Sequence, residues 1–173
     1  MEHHFDVLIV ADARFQGGTT AAMVADVTAL AAMGARIGLF FVRSAYLDDS
    51  RDPPHPAALA LLDLDAVTCV TPDMAVQADI AFLHHPMIFF RGIEEHADIR
   101  ANKSVVVCHH PPFRADGSLE YDPMTTRRRI RKALQLDPWF APVSGAVRAQ
   151  LQSFAPLIRQ TSADWPNIFD TNA

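Results

Sequence analysis

The stretch FDVLIVADARFQGGTTAAMVADVTALAAMGARIGLFFV, Phe5 to Val42, decides the fold. Phe5 to Val10 is a short apolar run, Asp12 to Gly18 is a loop ending in paired glycines, and Met23, Val24, Val27, Leu30 and Ala31 then recur at helical spacing. Thr19 or Thr20 is placed to cap that helix and Gly34 to stop it, and Ile37 to Val42 follows at once as a second strand. The unit reads as strand, glycine loop, helix, strand.

The alternation continues outward from this unit. A Pro-rich loop around Asp52 to Pro56 leads to a short Ala/Leu helix, and strand segments are predicted at Ala66 to Val70, Ile80 to Leu83 and Ser104 to Cys108. Pro123 to Leu134 reads as a basic helix, Phe140 to Val143 as a short strand and Gly145 to Phe154 as a helix. Strands alternating with helices need parallel crossovers, so the expected class is α/β: a Rossmann-like open, mainly parallel sheet with helices on both faces. A chain of 173 residues, 50% of them hydrophobic, suits a single Rossmann-like domain spanning residues 1–173. No repeat of fixed period and no low-complexity linker divides it.

Composition excludes several classes of function. A formal net charge of -5 provides no basic field for a nucleic-acid backbone, and Arg127-Arg128-Arg129 reads as a solvated helix face. Cys69 and Cys108 form no CxxC pair and read as lying in apolar surroundings, which fits a reducing cytoplasmic setting and no disulfide framework. Val7 to Ala11 is too short for a signal segment or a membrane span, although peripheral membrane contact through a surface patch remains compatible with the chain.

In an open parallel sheet, ligands bind outside the carboxyl ends of the strands, so chemistry is sought in the loops there. Gly17, Gly18 and Thr19 end the first such loop, where glycine permits close backbone approach and a helix N-terminus favours an anion. An ordinary tight turn would use the same glycines. The loop lacks GxGxxG and the Lys-Ser/Thr pair of a P-loop, so no dinucleotide or other cofactor is expected. His84-His85-Pro86 and His109-His110-Pro111-Pro112 each follow a predicted strand directly, which predicts imidazoles converging at one end of the sheet. Adjacent histidines point in different directions and no partner carboxylates are evident, so no metal site is expected, metal-assisted hydrolysis being the alternative. Ser144 is placed to cap the helix carrying Arg148, without a GxSxG elbow. Arg14, Arg91 and Arg114 read as solvated loop residues or contacts to a charged ligand. Phe89, Phe90 and Phe113 read first as core, with the apolar part of an acceptor or a lipid surface as the alternatives.

In this order the pieces resemble the N-terminal domain of the retaining, nucleotide-sugar-dependent glycosyltransferases of the GT-B fold. That family's domain opens with a strand, a Gly-Gly loop and a helix ending in glycine, as Val7 to Gly34 does here. It then shows a strand ending in His-x-Pro, matched by His84-His85-Pro86, and another ending in histidine, matched by Val105 to His109. An Ala-x-Ser segment opening a helix follows, matched by Ala141 to Arg148. The resemblance implies that Gly17 and Gly18 lie near the donor diphosphate or the acceptor, that His109 lies beside the reacting sugar as the catalytic histidine, and that His84 lines an acceptor cleft. His85, His110, Ser144 and Arg148 fall among the expected substrate contacts.

The implied partners are a nucleotide-sugar donor, held mostly by a second domain, and a sugar or glycolipid acceptor. The family's acidic E-x7-E donor grip is not found here, and Asn167-Ile168-Phe169-Asp170 resembles the crossover into that second domain. The natural protein is therefore expected to continue beyond Ala173, and this chain alone to be inactive. A stand-alone binding module of the same fold, recognising a small anion or a protein partner, is the competing reading.

Overall fold

A computed structural model describes residues 2–48 and 51–166. The fold is α/β, with six parallel strands in the order β3-β2-β1-β4-β5-β6. The strands are β1 (Glu2–Ala11), β2 (Ile37–Phe41), β3 (Val67–Cys69), β4 (Ala75–His84), β5 (Ile99–Cys108) and β6 (Trp139–Pro142). The helices are α1 (Gly18–Ala32), α2 (Pro56–Ala60), α3 (Pro86–Arg91), α4 (Pro123–Leu134) and α5 (Gly145–Phe154). This is the order of a doubly wound Rossmann-like sheet, with its switch point between β1 and β4. The proposed crossover at Asn167-Ile168-Phe169-Asp170 lies outside the described residues.

Apolar side chains fill both faces. On one, Leu8, Leu83, Val106 and Phe140 pack with Ile88 of α3, Ile130 of α4 and Leu151 of α5. On the other, Ile9, Leu39 and Val107 pack with Met23 and Val27 of α1 and Ala58 of α2. The near-continuous apolar runs of the strands follow from this double burial. Among the described residues no helix is long and apolar enough to cross a membrane.

The three longest strands share an irregularity. Phe5 packs in the same layer as Leu8, Ala78 as Ala81 and Ile99 as Val106, spacings that strict alternation would place on opposite faces. The alternation slips by one at Asp6, Asp79 and Asn102, the positions at which the ladders β1–β4 and β4–β5 skip a partner pair. Polar groups occupy the slip: Asp6 accepts from the Arg36 backbone N–H at 2.8 Å, and Asn102 donates to Asp79 at 3.2 Å. Strands β4 and β5 therefore begin well before the predicted Ile80 and Ser104.

Four local expectations are corrected. Helix α1 begins at Gly18 with Gly17 at the N-cap and no side-chain cap, because Thr20 turns its hydroxyl back to donate to the Phe15 carbonyl instead. Cys69 is exposed rather than in apolar surroundings because it lies on β3, a short strand at the edge of the sheet; Cys108 is buried. The segment after His85 is not loop but α3, opened by His85 at the N-cap and Pro86 at N1. Arg127 and Arg129 of α4 are engaged, with Asp137 and with the Phe90 carbonyl respectively, so that helix face is only partly a solvated one.

Gly38 in β2 admits the Phe5 ring: a Cβ there would stand 2.8 Å from Phe5 Cδ2 and 3.0 Å from Leu8 Cδ1. Gly38→Ala is expected to destabilise the protein by about 1–3 kcal/mol through overpacking. Urea denaturation should show that loss shrinking in a Phe5→Leu background, where the clashing ring is absent.

Candidate functional site

The register of the sheet brings its carboxyl ends level. Ala11 is opposite His84, His84 opposite Val107, and Cys108 opposite Pro142. The loops after β1, β4, β5 and β6 therefore leave the sheet along one edge, and the two histidine pairs meet there. The His84 and His109 rings are stacked with centroids 5.8 Å apart, His85 and His109 stand at 5.9 Å, and His85 and His110 at 5.2 Å. A row of imidazoles runs from buried His84 and His85, through half-buried His109, to exposed His110.

The state of the buried rings follows from their surroundings. His85 accepts the Met87 backbone N–H at Nδ1 (3.4 Å), which assigns the ring proton to Nε2 and leaves that N–H without a hydrogen-bond partner among the described residues. Burial, with His109 nearby, holds His84 down to about 3, and the same causes hold His85 well below the ordinary histidine value. Both are therefore neutral rings near pH 7. Beneath them on α1 is Asp26, 6% exposed, with its carboxylate 4.0 Å from His84 Nε2. Burial pushes the Asp26 carboxyl up to about 6, against the opposing pull of the Trp165 indole. Trp165 lies on Phe82 at 4.8 Å, so the tail of the described chain closes over this carboxylate.

The glycine loop adjoins the row through Phe15, whose ring is 5.4 Å from that of His85. Gly17 has φ +90°, a conformation that favours glycine, and a Cβ at Gly17 or Gly18 would meet nothing within 4 Å. The first turn of α1 has neither a side-chain cap nor an acidic residue; Gly17 and Gly18 are exposed and Thr19 and Thr20 buried. Ser144 caps α5, accepting from Val147 N at 3.4 Å.

The arginines are otherwise employed. Arg14 is buried, pairs with Asp12 at 2.8 Å and donates to the Ser44 carbonyl at 2.9 Å, so it is neither a solvated loop residue nor a ligand contact. Arg148 pairs with Asp164 and donates to the Thr161 carbonyl, both at 2.7 Å, which turns it toward the tail rather than the imidazoles. Arg114 pairs with Glu120, and Arg91 stacks over Phe90 at 5.5 Å. Of the phenylalanines, Phe89 is core, whereas Phe113 is half-buried against Phe154.

Sequence reasoning missed Asp26, although a carboxylate between Met23 and Val27 on the apolar stripe of α1 was the signal for it. Among the described residues no group of three or more His, Cys, Asp or Glu is placed to hold a metal ion. One cleft, of about 900 Å³, lies away from the imidazoles and is lined by Lys103, Trp139 and Arg159 among others. A second, of about 340 Å³, opens beside His110. No family model, curated protein or solved structure matches this chain.

Asp26 makes a pH test available. Its folded carboxyl titrates at about 6 against a reference value of 3.8, so the folded state binds the extra proton between these values. Stability from this group is thus present at low pH and lost as pH rises through that window. Asp26→Asn is expected to be more stable than the native chain by about 1–3 kcal/mol at about pH 8, the gain disappearing by about pH 4. Chemical denaturation across pH measures it, and a pH-independent difference would contradict the assignment.

Proposed function

We propose that this chain is the acceptor-side half of a two-domain, nucleotide-sugar-dependent glycosyltransferase. The observation that carries the reading is the imidazole row from His84 to His110 beside an open glycine loop at the switch point of a parallel sheet. In this reading the donor diphosphate rests on the backbone N–H groups around Gly18 and Thr19, where the helix dipole favours negative charge. His109 hydrogen-bonds the donor sugar or the incoming acceptor hydroxyl, and positioning and electrostatics supply most of the rate enhancement.

The neutral imidazoles suit hydroxyl-rich ligands, since each neutral ring has one donor and one acceptor nitrogen. His85, with its Nδ1 committed to the α3 backbone, has only Nε2–H to give. Most of the donor affinity belongs to a second domain following this one, and the setting is cytoplasmic with peripheral access to a membrane when the acceptor is a glycolipid.

In the full-length protein, His109→Ala is expected to lower sugar transfer at least tenfold, about 1.4 kcal/mol of barrier. A smaller loss in a steady-state assay would remove His109 from the reaction. Gly18→Val is expected to fold, because nothing of the protein stands within 4 Å of the new Cβ, and to weaken donor binding by calorimetry. Unchanged donor affinity would make the loop a turn and nothing more.

A further inference from the structure

The cleft beside His110 is built on a segment with its own hydrogen bonding. After His109-His110-Pro111-Pro112 the chain forms a small antiparallel hairpin in which Phe113 pairs with Leu119 and the Arg114 N–H donates to the Ser118 carbonyl at 2.9 Å. Asp116 accepts both the backbone N–H of Ser118 at 2.9 Å and its hydroxyl at 2.6 Å, which closes the turn. Two anchors hold the hairpin to the body of the protein. The fully buried Tyr121 donates to the His110 carbonyl at 2.9 Å, and the Phe113 ring packs edge-on against Phe154 of α5 at 4.7 Å. The walls of this cleft are thus anchored to the body of the protein, and His110 joins it to the imidazole row.

Its lining is His110, Pro111, Phe113, Arg114, Ala115 and Glu120. The chemistry of that set is specific. Phe113 and Pro111 supply an apolar wall. Opposite charges are already matched, since Glu120, whose side chain is 10% exposed, is hydrogen-bonded to Arg114, whose side chain is 52% exposed. With the Arg114 guanidinium paired to Glu120 inside the cleft, its attraction for an anionic ligand is reduced. A carboxylate beside a guanidinium still offers an acceptor and donors side by side, the pattern that neighbouring hydroxyls satisfy. The volume of about 340 Å³ is at the lower end of ligand clefts, which run from roughly 300 to 1,000 Å³, and suits one ring rather than an extended chain.

We infer that this cleft is the acceptor subsite and that its occupant is an uncharged pyranose ring, with one C–H face against Phe113 and its hydroxyls on the Glu120–Arg114 pair. The inference rests on the sugar-transfer reading only in calling the ring an acceptor. The ring lies beside His110, at the exposed end of the row that leads inward to His109. Arg114 accordingly serves as a neutral-ligand contact rather than as the anion contact considered from the sequence.

Saturation-transfer NMR on this chain, without donor or turnover, tests it. The probes are methyl glucoside, methyl galactoside and methyl mannoside, set against methyl glucuronide and glucose 6-phosphate. At least one neutral glycoside is expected to receive saturation, in the millimolar range usual for a single sugar ring, with the anionic probes weaker. Phe113→Ala is expected to weaken that binding at least tenfold. Arg114→Gln, which keeps a hydrogen-bond donor for Glu120 at a half-exposed position, is expected to weaken it severalfold, with circular dichroism checking that both variants fold.

Preference for the anionic probes, no saturation of any neutral glycoside, or unchanged binding in both folded variants would overturn the inference. Ring binding without transfer by the full-length protein would instead defeat the glycosyltransferase reading and leave the subsite standing. Transfer without ring binding here would do the reverse.

Discussion

The buried carboxylate of Asp12 ties the carboxyl edge of the sheet together. It is 4% exposed and accepts from the Arg14 backbone, from the Arg14 guanidinium and from the Ser44 backbone at 2.7 Å. Arg14 in turn donates to the carbonyls of Ser44 and Leu47, and the Ser44 hydroxyl donates to the Ile88 carbonyl at 2.7 Å. One charge pair thereby links the loop after β1, the loop after β2 and helix α3. A buried pair of this kind adds little net stability over apolar packing, but leaving either member unpartnered is costly, so the geometry of the three segments is held jointly. The glycine loop and the imidazole row keep their relation because of it.

Above that tie the edge collects groups that a folding chain ordinarily avoids burying. Asp26 sits beneath His84, and His84 and His85 are kept neutral by the same lack of water. These are unfavourable for stability and concentrated at the one place where an open parallel sheet exposes its loops to ligand, the pattern that perturbed titratable groups follow at functional sites. Charge is matched wherever it approaches the cleft, as at Arg114–Glu120, or turned away from it, as at Arg148–Asp164. The surface near His110 thus combines an aromatic wall with a paired carboxylate and guanidinium.

Much of the fold was legible because its decisive signals are local. The carboxyl halves of β1, β4 and β5 are unbroken apolar runs, and they were read at nearly their observed positions. Their amino halves were not, because the side-chain phase slips at Asp6, Asp79 and Asn102, and a polar residue that interrupts alternation looks from sequence like the end of a strand. Helix α3 escaped because six residues carry too little periodicity to stand out, although the His-Pro opening it shares with α2 at His55-Pro56 was a usable mark. Thr19 and Thr20 suggested a side-chain cap that the structure lacks, since the N-cap position falls on Gly17 and Thr20 uses its hydroxyl on Phe15.

By itself the sequence determined the α/β class, the strand-end placement of both histidine pairs and the glycine loop opening α1, because periodicity and turn chemistry act over a few residues. Only the tertiary structure decided that His84 stacks on His109, that Asp26 lies under His84, that Arg14 turns inward to Asp12, and that the Pro112 to Tyr121 segment forms a cleft wall beside His110. Each of these joins residues from different strands or loops. The contact depends on parallel register and on which face a crossover covers, and neither quantity is written in any local stretch of the chain.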